Sequence, residues 1–234
     1  MKYGTWCIIP SPEVVSVLAH NLDFVILDQE HGTTSCSDIY NMTAAAQRED
    51  AVVLARPCKN DETEILHLLD CGVNGIIVPH TRTVRDILAF LEYTNYPPFG
   101  KRGYTPFVYS ADYGKHKKDE CFKDLANTKI IRAIIIEDME GVYNLHEMLG
   151  LGIDMVYIGV YDLSSSLGLD VNDPRIKDIC KDIVGMVKTA HKQTGAIFGD
   201  KASMADMIGL DIDFACYKTD TAILFDATKE MREW

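Results

Sequence analysis

With 234 residues, 47% of them hydrophobic, the chain has enough apolar side chains for a sizeable core and does not read as a disordered segment. A formal charge of −12 and a pI near 4.9 argue against nucleic acid as a partner, because a phosphate backbone demands a basic face. No apolar run approaches the roughly 20 residues that a membrane span requires, and the seven dispersed cysteines contain no Cys-x-x-Cys pair, which argues against a structural zinc site.

Taken in order, the chain alternates short β-rich runs with amphipathic ones. Thr5-Trp6-Cys7-Ile8-Ile9 reads as a first strand stopped by Pro10, and Ser11-Pro12-Glu13 opens a helix with a good N-cap and a proline at its first position. Phe24 to Leu27 form a second strand that ends in Asp28-Gln29-Glu30-His31-Gly32, followed by a helix at about 37–49. The third strand, Ala51 to Ala55, ends in Arg56-Pro57, and the helix after it closes at Leu68-Leu69-Asp70-Cys71-Gly72. Gly75 to Val78 and the helix from Thr83 to about Tyr93 make the fourth unit. Residues 94–128 break this rhythm with Pro97-Pro98-Phe99-Gly100-Lys101-Arg102-Gly103 and a polar, helical continuation; such a long connection is expected to lie over a site. Ile130 to Ile136 runs into Glu137-Asp138, and Met155 to Gly159 runs into Val160-Tyr161-Asp162-Leu163. A long helix from Asp173-Pro174, strands at Ala196–Gly199 and Phe214–Tyr217, a short helix around 202–209 and a last helix over 221–234 complete the chain.

Eight strand-then-helix units without a linker predict a single (β/α)8 TIM barrel spanning 1–234, with a doubly wound open sheet as the alternative. Gly150 and Gly152 lie between a helix and a strand, the wrong context for a dinucleotide fingerprint. The opening Met1-Lys2-Tyr3-Gly4 has no charged-then-apolar leader, and dispersed thiols suit a reducing compartment, so a cytoplasmic location is expected.

Barrel enzymes keep their chemistry at the C-terminal ends of the strands. That rule singles out Asp28, Glu30 and His31 on the second strand, Arg56 on the third, Glu137 on the fifth and Asp162 after the sixth. Glu137 and Asp162 suit a hard divalent cation, the alternative being that each caps the next helix. Arg56 suits a carboxylate or a developing oxyanion, the alternative being an ion pair with Asp28 or Glu30. His31 is a candidate base with acids beside it, whereas His67, His80 and His146 read as surface or second-layer residues. Asp70 ends an apolar helix at the unfavourable end of the dipole and needs a cation or imidazole as partner.

In this order and spacing, FVILDQEHG at 24–32, ARP at 55–57, LLDCG at 68–72, IIVP at 76–79, YPPFGKRG at 96–103, IIIED from 134 and IGVYDLSSSLG at 158–168 resemble the HpcH/HpaI aldolases, class II metal-dependent 2-keto-acid aldolases. The resemblance implies a barrel of the phosphoenolpyruvate/pyruvate-domain type. It further implies a lyase cleaving a 2-keto-4-hydroxy acid to pyruvate, or a related 2-keto acid, and an aldehyde. It casts His31 in proton transfer, Arg56 as steadying the enolate, and Asp70 as raising the basicity of His31. Glu137 and Asp162 would hold Mg2+, Mn2+ or Co2+, with the backbone around Gly159, Tyr161 and Asp162 binding the keto-acid carboxylate and Arg56 also touching substrate. Asp28 and Glu30 become supporting groups around His31. A homo-oligomer, a hexamer built as a trimer of dimers, is the partner arrangement it implies. This chain departs from the family pattern in having Ile135 where a glutamine is usual, Val160 where a proline is usual, and Ser110-Ala111 where an Arg-Ala pair is common. Two other activities fit the same residues: a citrate-lyase-like acyl-CoA lyase, and a catalytically silent barrel that binds a keto acid.

Overall fold

The computed structural model describes residues 1–119, 121–200, 202–203 and 209–231. Eight parallel strands close into a barrel in sequence order, β1 pairing with both β2 and β8. They are β1 (Lys2–Cys7), β2 (Phe24–Asp28), β3 (Val52–Arg56), β4 (Gly75–Val78), β5 (Ile131–Ile136), β6 (Met155–Ile158), β7 (Gln193–Phe198) and β8 (Phe214–Thr219). The closed ring excludes the open-sheet alternative. The helices between them are α1 (Pro12–Ala19), α2 (Cys36–Gln47), α3 (Glu62–Asp70), α4 (Val84–Thr94), α5 (Phe122–Lys129), α6 (Met139–Met148), α7 (Val160–Ser166), α8 (Pro174–Thr189) and α9 (Asp220–Glu230). No helix among the described residues is long and apolar enough to cross a membrane.

The strands are apolar on both faces because both faces are covered. Along β2, Phe24 and Ile26 point into the barrel, where they pack with Leu54, Ile77, Tyr157 and Phe214. Val25 and Leu27 alternate outward and join the larger cluster under the helices. Sequence chemistry also fixes helix starts. Ser35 with Asp38, and Thr83 with Asp86, form reciprocal capping boxes on α2 and α4, and Ser11 caps α1 with Pro12 at its first position.

Several expected boundaries move. β1 begins and ends earlier than its apolar run, so Ile8 and Ile9 lie in the exit loop, where Asp220 accepts from both of their N–H groups at 2.9–3.1 Å. Val160 to Leu163, into which the sixth strand was expected to run, start helix α7 directly after Gly159, with Asp162 in its first turn as the capping alternative supposed. The short helix around 202–209 lies mostly outside the described residues, as do 232–234 of the last helix.

The largest correction concerns residues 94–128. They follow the end of α4 and feed β5, so they run at the end of the barrel where strands begin, opposite the mouth. Tyr96 and Arg102 share a cavity there with Asn74 and Ile130, which immediately precede β4 and β5. Within one chain this segment does not cover the mouth.

Candidate active site

Asp28 and Arg56 are register partners at the C-terminal ends of β2 and β3. Their side chains meet in a two-point bond: Arg56 Nε donates to Asp28 Oδ1 at 2.8 Å and Nη2 to Oδ2 at 2.7 Å. Glu30 Oε2 lies 2.9 Å from Arg56 Nη1 as a second counter-charge, outside hydrogen-bond geometry. Both expected partners of Arg56 are therefore real, and the pairing does not exhaust it, since a guanidinium carries five N–H donors. Asp28 Oδ1 also accepts the Glu30 N–H at 3.0 Å and, more loosely, the His31 N–H at 3.5 Å. Asp28 thus orients His31 through the backbone of the turn rather than through the imidazole. The His31 side chain is exposed and lines the mouth cavity.

Across the ring, Glu137 is 6% exposed at the end of β5. Burial pushes its carboxyl above the usual carboxylate range, the contacts of His80 oppose this, and the Glu30 and Asp162 charges add to the rise. The capping alternative fails for Glu137, because Asp138 caps α6 by accepting from the Gly141 N–H at 2.9 Å. Asp162 lies in the first turn of α7, where Gly159 occupies the cap position without a side-chain bond. A Cβ at position 159 would come 2.7 Å from Glu137 Cγ, so only glycine lets Glu137 lie across the end of β6.

Sequence reasoning undervalued His80. Its N–H donates to Glu137 Oε2 at 2.8 Å, its Nδ1 lies 2.9 Å from the same oxygen, and its Nε2 lies 2.8 Å from Glu30 Oε1. The residue adopts φ 54°, a left-handed conformation uncommon for a non-glycine, which turns the ring back across the mouth. His80 thereby links the acids of β2 and β5 into one network. The rule that singled out the other residues applied to it equally, since it stands two residues after β4.

Trp6 and Tyr157 form the floor. The indole Nε1 donates to the Tyr157 hydroxyl at 2.7 Å, the rings meet edge to face, and the Arg56 guanidinium lies 4.4 Å from the indole. Ile135, also fully buried, lines the cavity above this floor and offers no hydrogen bond beside Glu137. The cavity has a volume of about 290 Å3 and is bordered by Asp28, His31, Arg56, Glu137, Gly159 and Asp162, with Tyr161 at its exposed edge.

Asp70 does not join this group within one chain. At the end of α3 its carboxylate accepts from Arg102 Nη2 at 3.2 Å, and the Arg102 guanidinium stacks 4.5 Å from the Tyr96 ring. The cation that the helix-dipole argument demanded is thus supplied by Arg102, and within one chain Asp70 does not reach His31. Burial still outweighs Arg102 and pushes the Asp70 carboxyl upward.

The acids fit a divalent cation in a specific sense. Among the described residues no three His, Cys, Asp or Glu side chains converge as a metal cage. Glu137 and Asp162 are a two-carboxylate set, which suits an ion that keeps positions open for water and substrate oxygens. The charge balance points the same way, because Asp28, Glu137 and Asp162 line this cavity with Arg56 as the one guanidinium or ammonium among its described lining residues.

The family model for HpcH/HpaI aldolase/citrate lyase matches residues 2–208. A pyruvate aldolase of Rhizobium etli is 27% identical over 95% of this chain and 88% of its own length. A 2-keto-3-deoxy-L-rhamnonate aldolase of Klebsiella pneumoniae is 26% identical over 97% of this chain and 85% of its own. Among solved structures, an HpcH/HpaI aldolase/citrate lyase family protein from Burkholderia cenocepacia superposes with a TM-score of 0.93 at 23% identity, covering 99% of this chain and 93% of that one.

Proposed function

The chain belongs to the HpcH/HpaI aldolase/citrate lyase family, and from that premise we propose that it cleaves a 2-keto-4-hydroxy acid into pyruvate, or a related 2-keto acid, and an aldehyde. The observation that carries this reading is the desolvated Glu137 carboxylate sharing one cavity with Asp162 and with Arg56, a cation fixed by two acids. A carboxylate buried this deeply, whose one close ionisable partner among the described residues is the imidazole of His80 rather than a guanidinium or ammonium, is arranged for charge that arrives with the reactants.

Glu137 and Asp162 would hold Mg2+, Mn2+ or Co2+. Bound there, the cation supplies Lewis acidity to the carbonyl and carboxylate oxygens of the 2-keto acid. The remaining work belongs to the chain. The N–H groups at the start of α7, around Tyr161 and Asp162, are the donors for the keto-acid carboxylate. Arg56, braced by Asp28 and Glu30, keeps donors for the oxygen that gains charge as the C3–C4 bond breaks and its electron pair moves toward the C2 carbonyl. His31, at the rim, takes the proton of the C4 hydroxyl, which leaves as the aldehyde oxygen, and a proton is returned to C3 to give the methyl group of pyruvate. Trp6 and Tyr157 keep water from beneath the enolate.

The test is hydrogen exchange at pyruvate alone. In D2O with Mg2+, the wild-type protein is expected to exchange the methyl protons of pyruvate at least about 100-fold faster than Mg2+ without protein, a span typical of positioned proton transfer. Proton NMR reads the loss of the methyl signal. A methyl signal that decays no faster with protein than without it would refute enolate chemistry at this site.

A further inference from the structure

The mouth is chemically divided. Strands β2, β3 and β5 deliver Asp28, Arg56 and Glu137 to one arc, and Asp162 stands at its edge. The opposite arc, running from β6 through β7 and β8 to β1, delivers Val160, Ile197, Thr219 and Ile8, with the Tyr161 ring at its exposed edge. Thr219 carries a hydroxyl that is already engaged: it accepts from the Ala222 N–H at 3.2 Å as the cap of α9 and lies 2.9 Å from Thr221 Oγ1. Val160 is 6% exposed, and Ile8 and Ile197 are half-buried, so this arc is a wall rather than open solvent. Among the described residues that line the cavity, Arg56 is the only guanidinium or ammonium group, and its counter-charges are Asp28 and Glu30.

A 2-keto acid held at Glu137, Asp162 and Arg56 has its C1 and C2 oxygens on the acidic arc. Carbons beyond C4 must then run along the other arc. Resting on the lyase reading above, we propose that the apolar arc of Ile8, Val160 and Ile197 selects substrates whose tail beyond C4 is a short hydrocarbon. Tails that end in a carboxylate or phosphate are rejected. A hydrocarbon tail removes apolar surface from water on both partners, and each methylene buried is worth about fourfold in affinity. Among the described residues of that arc a terminal anion meets no guanidinium or ammonium, loses its hydration and feels the surplus acids across the cavity. The leaving aldehyde is accordingly a small alkyl aldehyde, and the reaction that supplies this substrate must yield a 2-keto-4-hydroxy acid with an unsubstituted alkyl end.

A matched pair of six-carbon acids tests this without requiring turnover. 2-Ketohexanoate ends in a methyl group where 2-ketoadipate ends in a carboxylate. With Mg2+ present, calorimetric titration of the wild-type protein is expected to show 2-ketohexanoate binding at least about tenfold more tightly, the scale on which a site distinguishes a fitted apolar tail from an unpaired polar one. The variant Ile197→Lys, which adds a cation to the apolar arc, is expected to shift the ratio toward 2-ketoadipate. Equal affinities, or tighter binding of 2-ketoadipate by the wild type, overturn the assignment. Turnover is scored separately on the 4-hydroxy derivatives of the same two acids. If neither is cleaved while 2-ketohexanoate keeps its advantage, the lyase reading fails and the tail preference stands.

Discussion

Arg56→Met is expected to cut turnover sharply and to destabilise the fold together. The side chain it replaces holds Asp28 through two hydrogen bonds and faces Glu30 at 2.9 Å, with Asp28 3% exposed. Removing the cation strands two carboxylates in a poorly hydrated setting. Breaking a buried pair from one side costs about 3–5 kcal/mol, which for a chain of this size lowers Tm by about 6–20 °C at about 2–4 °C per kcal/mol. Loss of the oxyanion partner costs a further factor of about 100–1,000 in kcat. The two effects separate in a double variant. Asp28→Asn with Arg56→Met removes one stranded charge and is expected to recover part of the Tm but none of the activity. Arg56→Lys keeps the charge yet cannot reproduce the two-point geometry, so it falls between. Thermal melts and steady-state kinetics on the four proteins read both terms. A single variant that melts like the wild type would show that the Asp28–Arg56 pair does not brace the mouth.

Glu137→Gln is expected to act in opposite directions on stability and on function. Burial raises the Glu137 carboxyl above its ordinary 4.5 in the folded chain. A raised folded value favours the protonated form, so ionising this group costs folding stability. The cost is present at neutral pH and above and disappears as pH falls through the folded value toward the unfolded one. Glutamine keeps an oxygen to accept from the His80 N–H and carries no charge. The metal-free variant is therefore expected to melt above the metal-free wild type at pH 8 and to lose that advantage near pH 4. The order reverses with metal. Millimolar Mn2+ is expected to raise the wild-type Tm and leave the variant unmoved, with affinity for Mn2+ lowered by more than about 100-fold. Groups that merely support a ligand already cost about 10–100-fold. A wild-type melt indifferent to Mn2+ would count against Glu137 as a ligand.

Much of this was legible in the sequence for a physical reason. A strand buried on both faces must be apolar throughout, so a polar residue where it ends stands out, and Asp28, Arg56, Glu137 and Asp162 all surfaced in this way. The eight-unit rhythm follows from the same burial. Features that depend on partners remote in sequence were harder to read. Nothing near Asp70 points to Arg102, which is 32 residues away and reaches it only when the long connection folds back. His80 stood within reach of the strand-end rule, two residues after β4, but that its ring turns back to bridge Glu30 and Glu137 depends on its left-handed φ of 54° and on partners 50 and 57 residues away. The placement of residues 94–128 was legible after all. A segment that follows a helix and precedes a strand must run where strands begin, and its length suggested a lid against that topological rule.

The reading rests on carbon–carbon cleavage driven from the two-carboxylate site, and pyruvate release from 4-hydroxy-2-ketopentanoate tests it most directly. Pyruvate and acetaldehyde should appear in equal amounts with the wild-type protein, stop on addition of a chelator, and return when Mg2+, Mn2+ or Co2+ is restored in excess. Release that continues unchanged in chelator, or binding of the substrate with no pyruvate formed under any metal, would contradict it.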